Sequence, residues 1–360
     1  MSKKVYSTLK LFRYPEQLKA LEERRVAAPV HIRIKPENAC NHDCWFCAYR
    51  VGNLQLGEDM SEKDRIPKEK FFEIIRDIID MKVEAVTFSG GGEPLIYKHI
   101  VDGINMLGAA DVRVATLTNG AFLKGKTADA FAKYGTWVRV SMDYWDGPSL
   151  AKSRHVKETE FDQVIGNMRG FAARDTKCTL GVSYIVSKES HLHIYEFCKL
   201  MKEIGVRHVK LAGVVIANDG KENNRYHAEF KSEVERQIAK AKALNTSTNG
   251  ARGFEIVNHY HETAERFDKA YTICPYLQFL TVIGADCKVY TCQDKAYTDG
   301  GTLGSIKDRS FKEFWFSKKN QEKVYALNPN KDCNHHCVTH TKNLLLMDYL
   351  GLDKDHAKFV

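Results

Sequence analysis

The sequence predicts an α/β fold: a partial (β/α)6 TIM-like barrel followed by a small C-terminal domain rich in cysteine. Two observations indicate the barrel. Predicted strands alternate with predicted helices from residue 29 to residue 217, and this alternation stops near Asn218. Such alternation is typical of βαβ units around a parallel sheet. A third observation indicates the C-terminal domain, because five of the ten cysteines lie beyond residue 270.

Short apolar runs predict six strands in the barrel segment. They are Val30–Ile34, Val83–Phe88, Val112–Leu117, Trp137–Met142, Thr179–Val186 and Val209–Val215. Apolar residues at helical spacing predict the helices between them. These are Pro67–Met81, Thr127–Tyr134, Glu160–Ala173 and His191–Ile204. In a parallel barrel the chemistry takes place at the carboxyl ends of the strands, so we expect the site there.

The C-terminal part of the chain has a different pattern. It predicts one long charged helix over Tyr226–Leu244, a strand over Phe254–His259, and a hairpin formed by Phe279–Ile283 and Lys288–Thr291. We therefore divide the chain into an N-terminal extension (1–28), the barrel (29–217), a linker helix region (218–265), the cysteine-rich domain (266–345) and a C-terminal tail (346–360).

Composition argues against several classes of protein. The net charge is +8, from 54 basic and 46 acidic residues spread along the chain, so we do not expect a nucleic-acid partner. No apolar run is long enough to cross a bilayer, and the N-terminus lacks the apolar core of a secretory signal. The expected compartment is the cytoplasm, where thiols stay reduced. Metal binding is therefore favoured over disulfides for the cysteines.

Cys40, Cys44 and Cys47 form a C-x3-C-x2-C pattern on the loop after the first predicted strand. A structural zinc site takes four protein ligands, and His42 is the local candidate for the fourth. A 4Fe–4S cluster held by three cysteines would instead have one iron without a protein ligand. That iron can chelate the amino and carboxylate groups of S-adenosylmethionine (SAM). The reduced cluster can then cleave SAM to a 5′-deoxyadenosyl radical, which abstracts hydrogen from a substrate.

A glycine-rich turn follows the second predicted strand, with the sequence Gly90-Gly91-Gly92-Glu93-Pro94. Glycines allow the backbone to approach a ligand closely, and a carboxylate at such a turn can receive an ammonium group. A turn of this kind is also common at ordinary strand ends. Its position one β/α unit after the cysteine pattern is what favours a ligand site.

Together, the cysteine pattern and the GGEP turn resemble the radical SAM superfamily, in which an aromatic residue also precedes the third cysteine. The resemblance implies that Cys40, Cys44 and Cys47 hold a SAM-binding 4Fe–4S cluster. It further implies that the turn meets the SAM amino group. The residues it places near the cofactor are Phe46, Gly91, Gly92 and Glu93.

Further SAM contacts are expected at the ends of later strands. The resemblance places ribose contacts at Ser141 and Asp143 and adenine contacts near Val186 and Ala212. Asn119, which ends the third strand, is a further candidate for contact with SAM. For each of these residues, strand-end capping or core packing is the alternative explanation.

The C-terminal cysteines resemble those of a twitch domain, or truncated SPASM extension, which carries an auxiliary 4Fe–4S cluster. The resemblance implies four ligands, Cys274, Cys292, Cys333 and Cys337. Cys287 stands where the related pattern has a glycine, so it could replace Cys292 or be a spare thiol. A zinc site that combines these cysteines with His335 or His336 is the alternative. Five cysteines are fewer than the seven of a full SPASM extension, so we expect one auxiliary cluster.

The resemblance leaves the substrate open. We expect a small polar metabolite, such as a sugar or nucleotide-linked sugar, because only about 28 residues precede the first strand, too few for a peptide-binding domain. A peptide-modifying maturase is the main alternative, followed by an enzyme of RNA modification or cofactor biosynthesis. Flavodoxin or ferredoxin is the implied electron donor. The acid–base or hydrogen-donor residue stays unknown, and the candidates are Glu189, Tyr184, Lys210 and Tyr144.

Overall fold

One ten-stranded sheet organises the chain. The structure is a computed structural model that describes residues 7–50, 54, 57–246, 253–260 and 266–359. The strands are β1 (His31–Ile34), β2 (Ala85–Phe88), β3 (Arg113–Thr118), β4 (Gly135–Met142), β5 (Thr179–Val186), β6 (His208–Gly213), β7 (Glu255–Asn258), β8 (Leu280–Ile283), β9 (Lys288–Tyr290) and β10 (Thr302–Ser305). Their order across the sheet is β10-β9-β8-β1-β2-β3-β4-β5-β6-β7.

Strands β1 to β7 form a parallel sheet in sequence order, and β8 joins it parallel to β1. The β8–β9 and β9–β10 pairs are antiparallel. The two edges of the sheet are β7 and β10, so the barrel does not close. This architecture confirms the predicted α/β partial barrel. None of the helices in the described ranges combines the length and apolar character that a bilayer crossing requires.

Helices follow the barrel strands, as the alternation predicts. The helices are α1 (Pro15–Glu22), α2 (Lys68–Asp80), α3 (Ile100–Ala109), α4 (Gly125–Tyr134), α5 (Gly147–Arg154), α6 (Glu160–Ala172), α7 (Ile194–Ile204), α8 (Gly220–Ala228), α9 (Lys231–Lys242), α10 (Phe311–Trp315), α11 (Lys318–Ala326), α12 (Pro329–Asp332) and α13 (His340–Leu350). On α2 the fully buried residues Phe71, Ile74 and Ile78 recur at helical spacing and form one apolar face.

Side chains alternate between the two faces of the sheet, with a period of two residues. Ile32 and Ile34 of β1 and Val138 and Val140 of β4 belong to the main core, in which the helices also take part. The residues between them, such as Arg33 and Arg139, therefore face the concave interior of the barrel. This alternation decides which residues can reach the site.

The sheet is wider than the predicted six strands. β7 comes from the segment expected to be a linker and pairs with β6, and β8 comes from the cysteine-rich domain and pairs with β1. The β8–β9 pair confirms the expected hairpin. The five-part division of the chain stays a prediction, and its boundary at residue 265 lies outside the described residues.

The prediction of one long helix over Tyr226–Leu244 is wrong. The chain forms α8 and α9 instead, with Phe230 at the N-cap of α9 in a non-helical conformation. The Phe230 ring is buried and lies near the rings of Tyr226 and His227. Burying this ring at the junction interrupts the helix, although the charged amphipathic pattern continues through it.

The N-terminal extension and the C-terminal tail pack against each other. A small apolar cluster joins them. It contains Leu11, Leu18 and Leu21, together with Phe279, which directly precedes β8, and Leu346 of α13. The two chain ends therefore cover the same end of the sheet, next to β8.

Candidate active site

A cavity of about 430 Å³ opens at the carboxyl ends of the barrel strands. Its walls come from the loop after β1, the glycine turn after β2, the ends of β3 to β6, and the segment after β9. Its size lies in the range of small-molecule sites. The position is the one that the parallel sheet predicts.

The cysteine loop, residues 40–47, forms one wall. Its three cysteines are half-buried and line the cavity: Cys40, Cys44 and Cys47. The loop is fixed against the end of α5, because the Asp43 N–H donates to the Arg154 carbonyl at 2.9 Å and the Trp45 N–H to the Ser153 carbonyl at 3.2 Å. Three thiols are thereby presented to one enclosed space.

The spacing of the ligand atoms bears on the choice between zinc and iron–sulfur. Within the described ranges, one group of metal-type side chains has all its ligand atoms within 4.8 Å of one another, and it consists of Cys292, Asp294 and His335. Tetrahedral zinc with Zn–S bonds of about 2.3 Å holds its sulfur atoms about 3.8 Å apart. The three thiols of the cysteine loop are not all within 4.8 Å of one another, so the loop as it stands is not a compact zinc site.

The glycine turn lies directly against residues 37–39, the segment that leads from β1 into the cysteine loop. The Gly92 N–H donates to the Glu37 carbonyl at 3.2 Å, and the Glu93 N–H donates to the Ala39 carbonyl at 3.0 Å. A Cβ at Gly92 would lie 1.9 Å from the Ala39 oxygen, and one at Gly91 would lie 2.3 Å from a side-chain oxygen of Asn38. Only glycine allows this approach, so the turn and the segment that leads into the cysteine loop form one unit.

Glu93 is buried at the end of this turn. Its carboxylate accepts hydrogen bonds from the Asn119 N–H at 2.7 Å, the Thr118 hydroxyl at 2.7 Å and the Leu95 N–H at 3.0 Å. Burial nevertheless raises the pKa of Glu93 to about 7. A bound cation would favour the charged carboxylate again, which fits the ammonium group of SAM.

The segment after β9 supplies the opposite wall of the cavity, through Gln293, Asp294, His335, His336 and Val338. Burial raises the pKa of the Cys292 thiol well above its usual value. The charges of Asp294 and of three other thiols raise it further, those of Cys337, Cys274 and Cys333. The four predicted auxiliary ligands are therefore near enough to interact electrostatically. As thiolates they could share a metal centre.

Cys287 lies apart from this group. It is buried at the β8–β9 turn with a positive φ of 58°. Burial raises its pKa to about 11, and the charged groups that act on it are Asp286, Lys307, Lys70 and Asp64, with no thiol among them. The structure therefore brings Cys292 to the other cysteines and leaves Cys287 in the hairpin core.

Two family models match the chain. One, described as the radical SAM superfamily, matches residues 34–201, and the other, described as SPASM, an iron–sulfur cluster-binding domain, matches residues 274–338. Together the two ranges cover more than half of the sequence and include both cysteine sets.

The chain is a radical SAM enzyme. The cofactors implied by its two domains are SAM, a SAM-binding 4Fe–4S cluster and an auxiliary 4Fe–4S cluster. This confirms the resemblance drawn from the cysteine pattern and the GGEP turn.

Solved structures share this fold. SuiB from Streptococcus suis, bound to S-adenosylmethionine, has a TM-score of 0.59 at 14% identity, covering 89% of this chain and 74% of SuiB. SuiB bound to precursor peptide SuiA has a TM-score of 0.56 at 16% identity, covering 89% of this chain and 73% of SuiB. The protein anSMEcpe with bound AdoMet has a TM-score of 0.57 at 13% identity, covering 89% of this chain and 99% of anSMEcpe. At such identities the likeness concerns the fold.

A curated relative of a different kind also matches. The GTPase Obg of Brachyspira hyodysenteriae is 23% identical over 156 residues, 41% of this chain. The chain spans about a fifth of that relative's length, 22%. So short and weak a match carries no conclusion on activity.

Arg154 is a radical SAM site residue that the sequence analysis missed. It is buried at the end of α5 and lines the cavity, with its guanidinium carbon 5.5 Å from the centre of the Phe46 ring. Asp143 fixes its orientation through a 2.8 Å hydrogen bond from Nε. No motif marks this residue, because its position depends on a buried ion pair formed through the β4–α5 connection.

Two of the expected later contacts line the cavity, and these are Asn119 and Ser141. The Asn119 amide donates to Asn41 of the cysteine loop at 2.7 Å, and the Ser141 carbonyl accepts from Arg154 at 3.1 Å. Asp143 does not line the cavity. It accepts hydrogen bonds from Ser153 and Arg154, and so acts on the site through Arg154.

The adenine contacts expected near Val186 and Ala212 stay predictions, and the neighbours of both residues line the cavity. Val186 is fully buried in the main core and does not line the cavity, whereas Ile185 does. On β6 the cavity is lined by Gly213 and the residues after it, not by Ala212. Strand alternation explains why Ile185 and not Val186 lines the cavity, because one step along a strand reverses the side-chain direction.

The four candidates for an acid–base or hydrogen-donor role lie outside the lining of the cavity. They are Glu189, Tyr184, Lys210 and Tyr144. Tyr184 and Tyr144 are fully buried, and the Tyr184 hydroxyl donates to the Ser190 carbonyl at 3.2 Å. Glu189 accepts a hydrogen bond from the Ser187 hydroxyl at 3.0 Å. Lys210 faces the barrel interior below the cavity.

Proposed function

We propose that this radical SAM enzyme is an oxidoreductase that abstracts hydrogen from a small polar metabolite held between its two cysteine sets. The observation that carries the proposal is the shared cavity. Cys40, Cys44 and Cys47 line one side, and Asp294 and His335, neighbours of Cys292, line the other. A substrate in this space would reach both centres at once.

Each cysteine set has its own role in the proposal. The cysteine loop holds the SAM-binding cluster, and the auxiliary cluster is held by Cys274, Cys292, Cys333 and Cys337. When bound, the first cluster and SAM supply the hydrogen-abstracting radical, and the auxiliary cluster assists oxidation or relays an electron. The protein residues position the reactants and exclude water from the cavity.

Glu93 and Arg154 orient SAM in this proposal. The Glu93 carboxylate has acceptor capacity beyond its three hydrogen bonds and receives the SAM ammonium. Arg154 brings a buried positive charge to the same cavity, suited to the SAM carboxylate. Ile185 and Gly213, the neighbours of the predicted adenine contacts Val186 and Ala212, line the same cavity.

A peptide substrate is the second candidate. It is supported by fold neighbours, because SuiB was solved with precursor peptide SuiA and anSMEcpe with Cp18Cys and Kp18Cys peptides. These proteins are 16% identical to this chain or less, so they support the candidate only through the shared fold.

An isotope experiment separates the two candidates. Cells of the source organism are grown on deuterated medium, and their extract is divided by ultrafiltration into a metabolite fraction and a peptide fraction. Each is incubated with the reconstituted, reduced protein and unlabelled SAM. Deuterium in 5′-deoxyadenosine from the metabolite fraction supports the proposal, and deuterium only from the peptide fraction favours a maturase. Absence of 5′-deoxyadenosine in both would contradict radical SAM activity.

A further inference from the structure

The concave interior of the barrel carries a group of cations beneath the cavity. We call Arg33 of β1, Arg139 of β4 and Lys210 of β6 the lumen cations. Each alternates with residues of the outer core, such as Ile32, Val138 and Val209. All three side chains therefore point inward.

The strand register places the lumen cations at neighbouring levels of the barrel interior, because Arg139 is opposite Gly181 and Lys210 is opposite Ser183 on β5, the strand between β4 and β6. Burial lowers the pKa of Lys210 to about 8, and the positive charges of Arg139 and Arg33 lower it further, followed by those of Arg266 and Lys342. Burial and the charge of Arg139 likewise lower the pKa of Arg33. The interior thus gathers positive charge from the barrel strands and from the C-terminal segment.

The lumen cations form no salt bridge with the residues that the structure describes. Within the described ranges, no carboxylate lies at ion-pair distance from any of the lumen cations. The Nε atoms of Arg33 and Arg139 are buried and have no hydrogen-bond partner. Asp294 attracts Arg33 electrostatically, but it lies on the auxiliary wall.

Arg154, which lines the cavity above the lumen cations, shows how a buried cation is usually stabilised, by an ion pair with a carboxylate. Its guanidinium is paired with Asp143 at 2.8 Å. Lys35, which is also buried, donates to the Gly90 carbonyl at 2.6 Å and to the Tyr49 hydroxyl at 2.7 Å. The lumen cations are half-buried and lack such a salt-bridge partner. Because a partly desolvated charge is costly unless it is paired, they are suited to bind an anion.

The depth of the lumen cations separates them from the expected SAM position. Lys210 precedes the cavity-lining Gly213 by three residues on β6, about 10 Å along a strand. Arg33 reaches the cavity from below and is the member of the group that lines it. Glu93 and Arg154, in contrast, act at the strand ends.

We infer that the substrate carries a multivalent oxyanion, a phosphate, diphosphate or dicarboxylate, which binds to Arg33, Arg139 and Lys210 at the floor of the barrel. The inference rests on the proposed function and narrows its substrate class. The anionic end lies deep, and the carbon that loses hydrogen lies above it, facing SAM. Guanidinium groups bind such oxyanions through paired N–H donors.

The test is calorimetric titration of the reconstituted, SAM-loaded full chain with inorganic pyrophosphate and, separately, with malonate. These probes represent the phosphate and dicarboxylate sources of the oxyanion. We expect at least one to bind with a millimolar or lower dissociation constant. Arg139→Gln and Lys210→Gln should each weaken that binding tenfold or more. The matched controls Arg236→Gln on α9 and Lys126→Gln on α4, both at exposed positions, should bind like the wild type.

Three results would overturn the inference: binding of neither probe, binding unchanged in Arg139→Gln and Lys210→Gln, or binding that SAM displaces, which would place the anion in the SAM site. If Arg139→Gln fails to fold, Arg139→Lys, which keeps the charge but loses the paired N–H donors, should weaken binding less than Lys210→Gln does. SAM cleavage by the same wild-type preparation is measured in parallel. Cleavage without anion binding refutes only this inference, whereas the absence of cleavage refutes the proposed function.

Discussion

The two cysteine sets are brought together in different ways, one by a short loop and the other by segments far apart in the sequence. Cys40, Cys44 and Cys47 lie within eight residues on one loop after β1, whereas the auxiliary set spans residues 274–337 and is assembled by a hairpin, a turn and the start of α13. The loop of the first set is held by hydrogen bonds to α5. The second set draws on segments on both sides of the β8–β9 hairpin, whose strand β8 pairs with β1. A local site can be recognised from sequence, and a distributed one depends on the fold.

The largest expected effect is on the local set. Cys44→Ala should lower formation of 5′-deoxyadenosine by about a thousandfold or more, because two thiolates cannot hold the cluster in the geometry that SAM requires. Chromatography of the reduced, reconstituted protein with SAM measures the product. Cys287→Ala is the control, since Cys287 lies in the hairpin core. Equal cleavage by Cys44→Ala and the wild type would refute the assignment.

A change in the distributed set should separate the two centres. Cys292→Ala is expected to reduce iron from about eight to about four atoms per chain, while SAM cleavage falls no more than about threefold and substrate turnover is lost. Iron analysis and electron paramagnetic resonance measure the first effect. Cys287→Ala should retain all the iron. If Cys287→Ala loses iron and Cys292→Ala does not, Cys287 is the auxiliary ligand and Cys292 is not.

Glu93→Gln tests how far the local site depends on one buried charge. The amide keeps the shape but cannot pair with an ammonium, so SAM affinity should fall by about ten- to a hundredfold, a range that corresponds to the ~1.5–3 kcal/mol of a charge-assisted hydrogen bond. Equilibrium binding of SAM measures it. Glu189→Gln, outside the cavity lining, should bind SAM normally. An unchanged affinity in Glu93→Gln would place the ammonium elsewhere.

The smallest effect concerns the barrel that both sets share. Burial lowers the pKa of His31 to about 3 and that of His208 to about 4. Both are neutral in the folded chain but gain protons below about pH 6.5 when unfolded. Stability is therefore complete above pH 6.5 and declines as pH falls toward 4. The denaturant midpoint should be lower at pH 5 than at pH 7, and His208→Gln should reduce this difference. A midpoint that does not change with pH would contradict it.

The sequence predicts the features that are local. Cys40–Cys47 and Gly90–Pro94 are short patterns whose chemistry is visible in the residue types, and strand alternation marks the barrel. It does not predict Arg154, whose place in the cavity depends on pairing with Asp143. Neighbouring residues of β5 also differ in position, because Val186 lies in the core whereas Ile185 lines the cavity.

Pairing between strands that are far apart in the sequence also limits what the sequence can predict. β1 and β8 are adjacent in the sheet although about 250 residues separate them, so no local pattern shows that the cysteine-rich segment extends the barrel. The break between α8 and α9 is similar, because the burial of Phe230 overrides a continuous helical pattern.

The pairing of β1 with β8 also bears on electron transfer. The cysteine loop follows β1, and Cys292 follows the β8–β9 hairpin, so backbone hydrogen bonds of one sheet connect the supports of both centres. The Tyr49 hydroxyl, which donates to the Gln293 carbonyl at 3.0 Å, adds a direct bridge. Two clusters held by these cysteines would therefore be kept at one separation by the sheet itself.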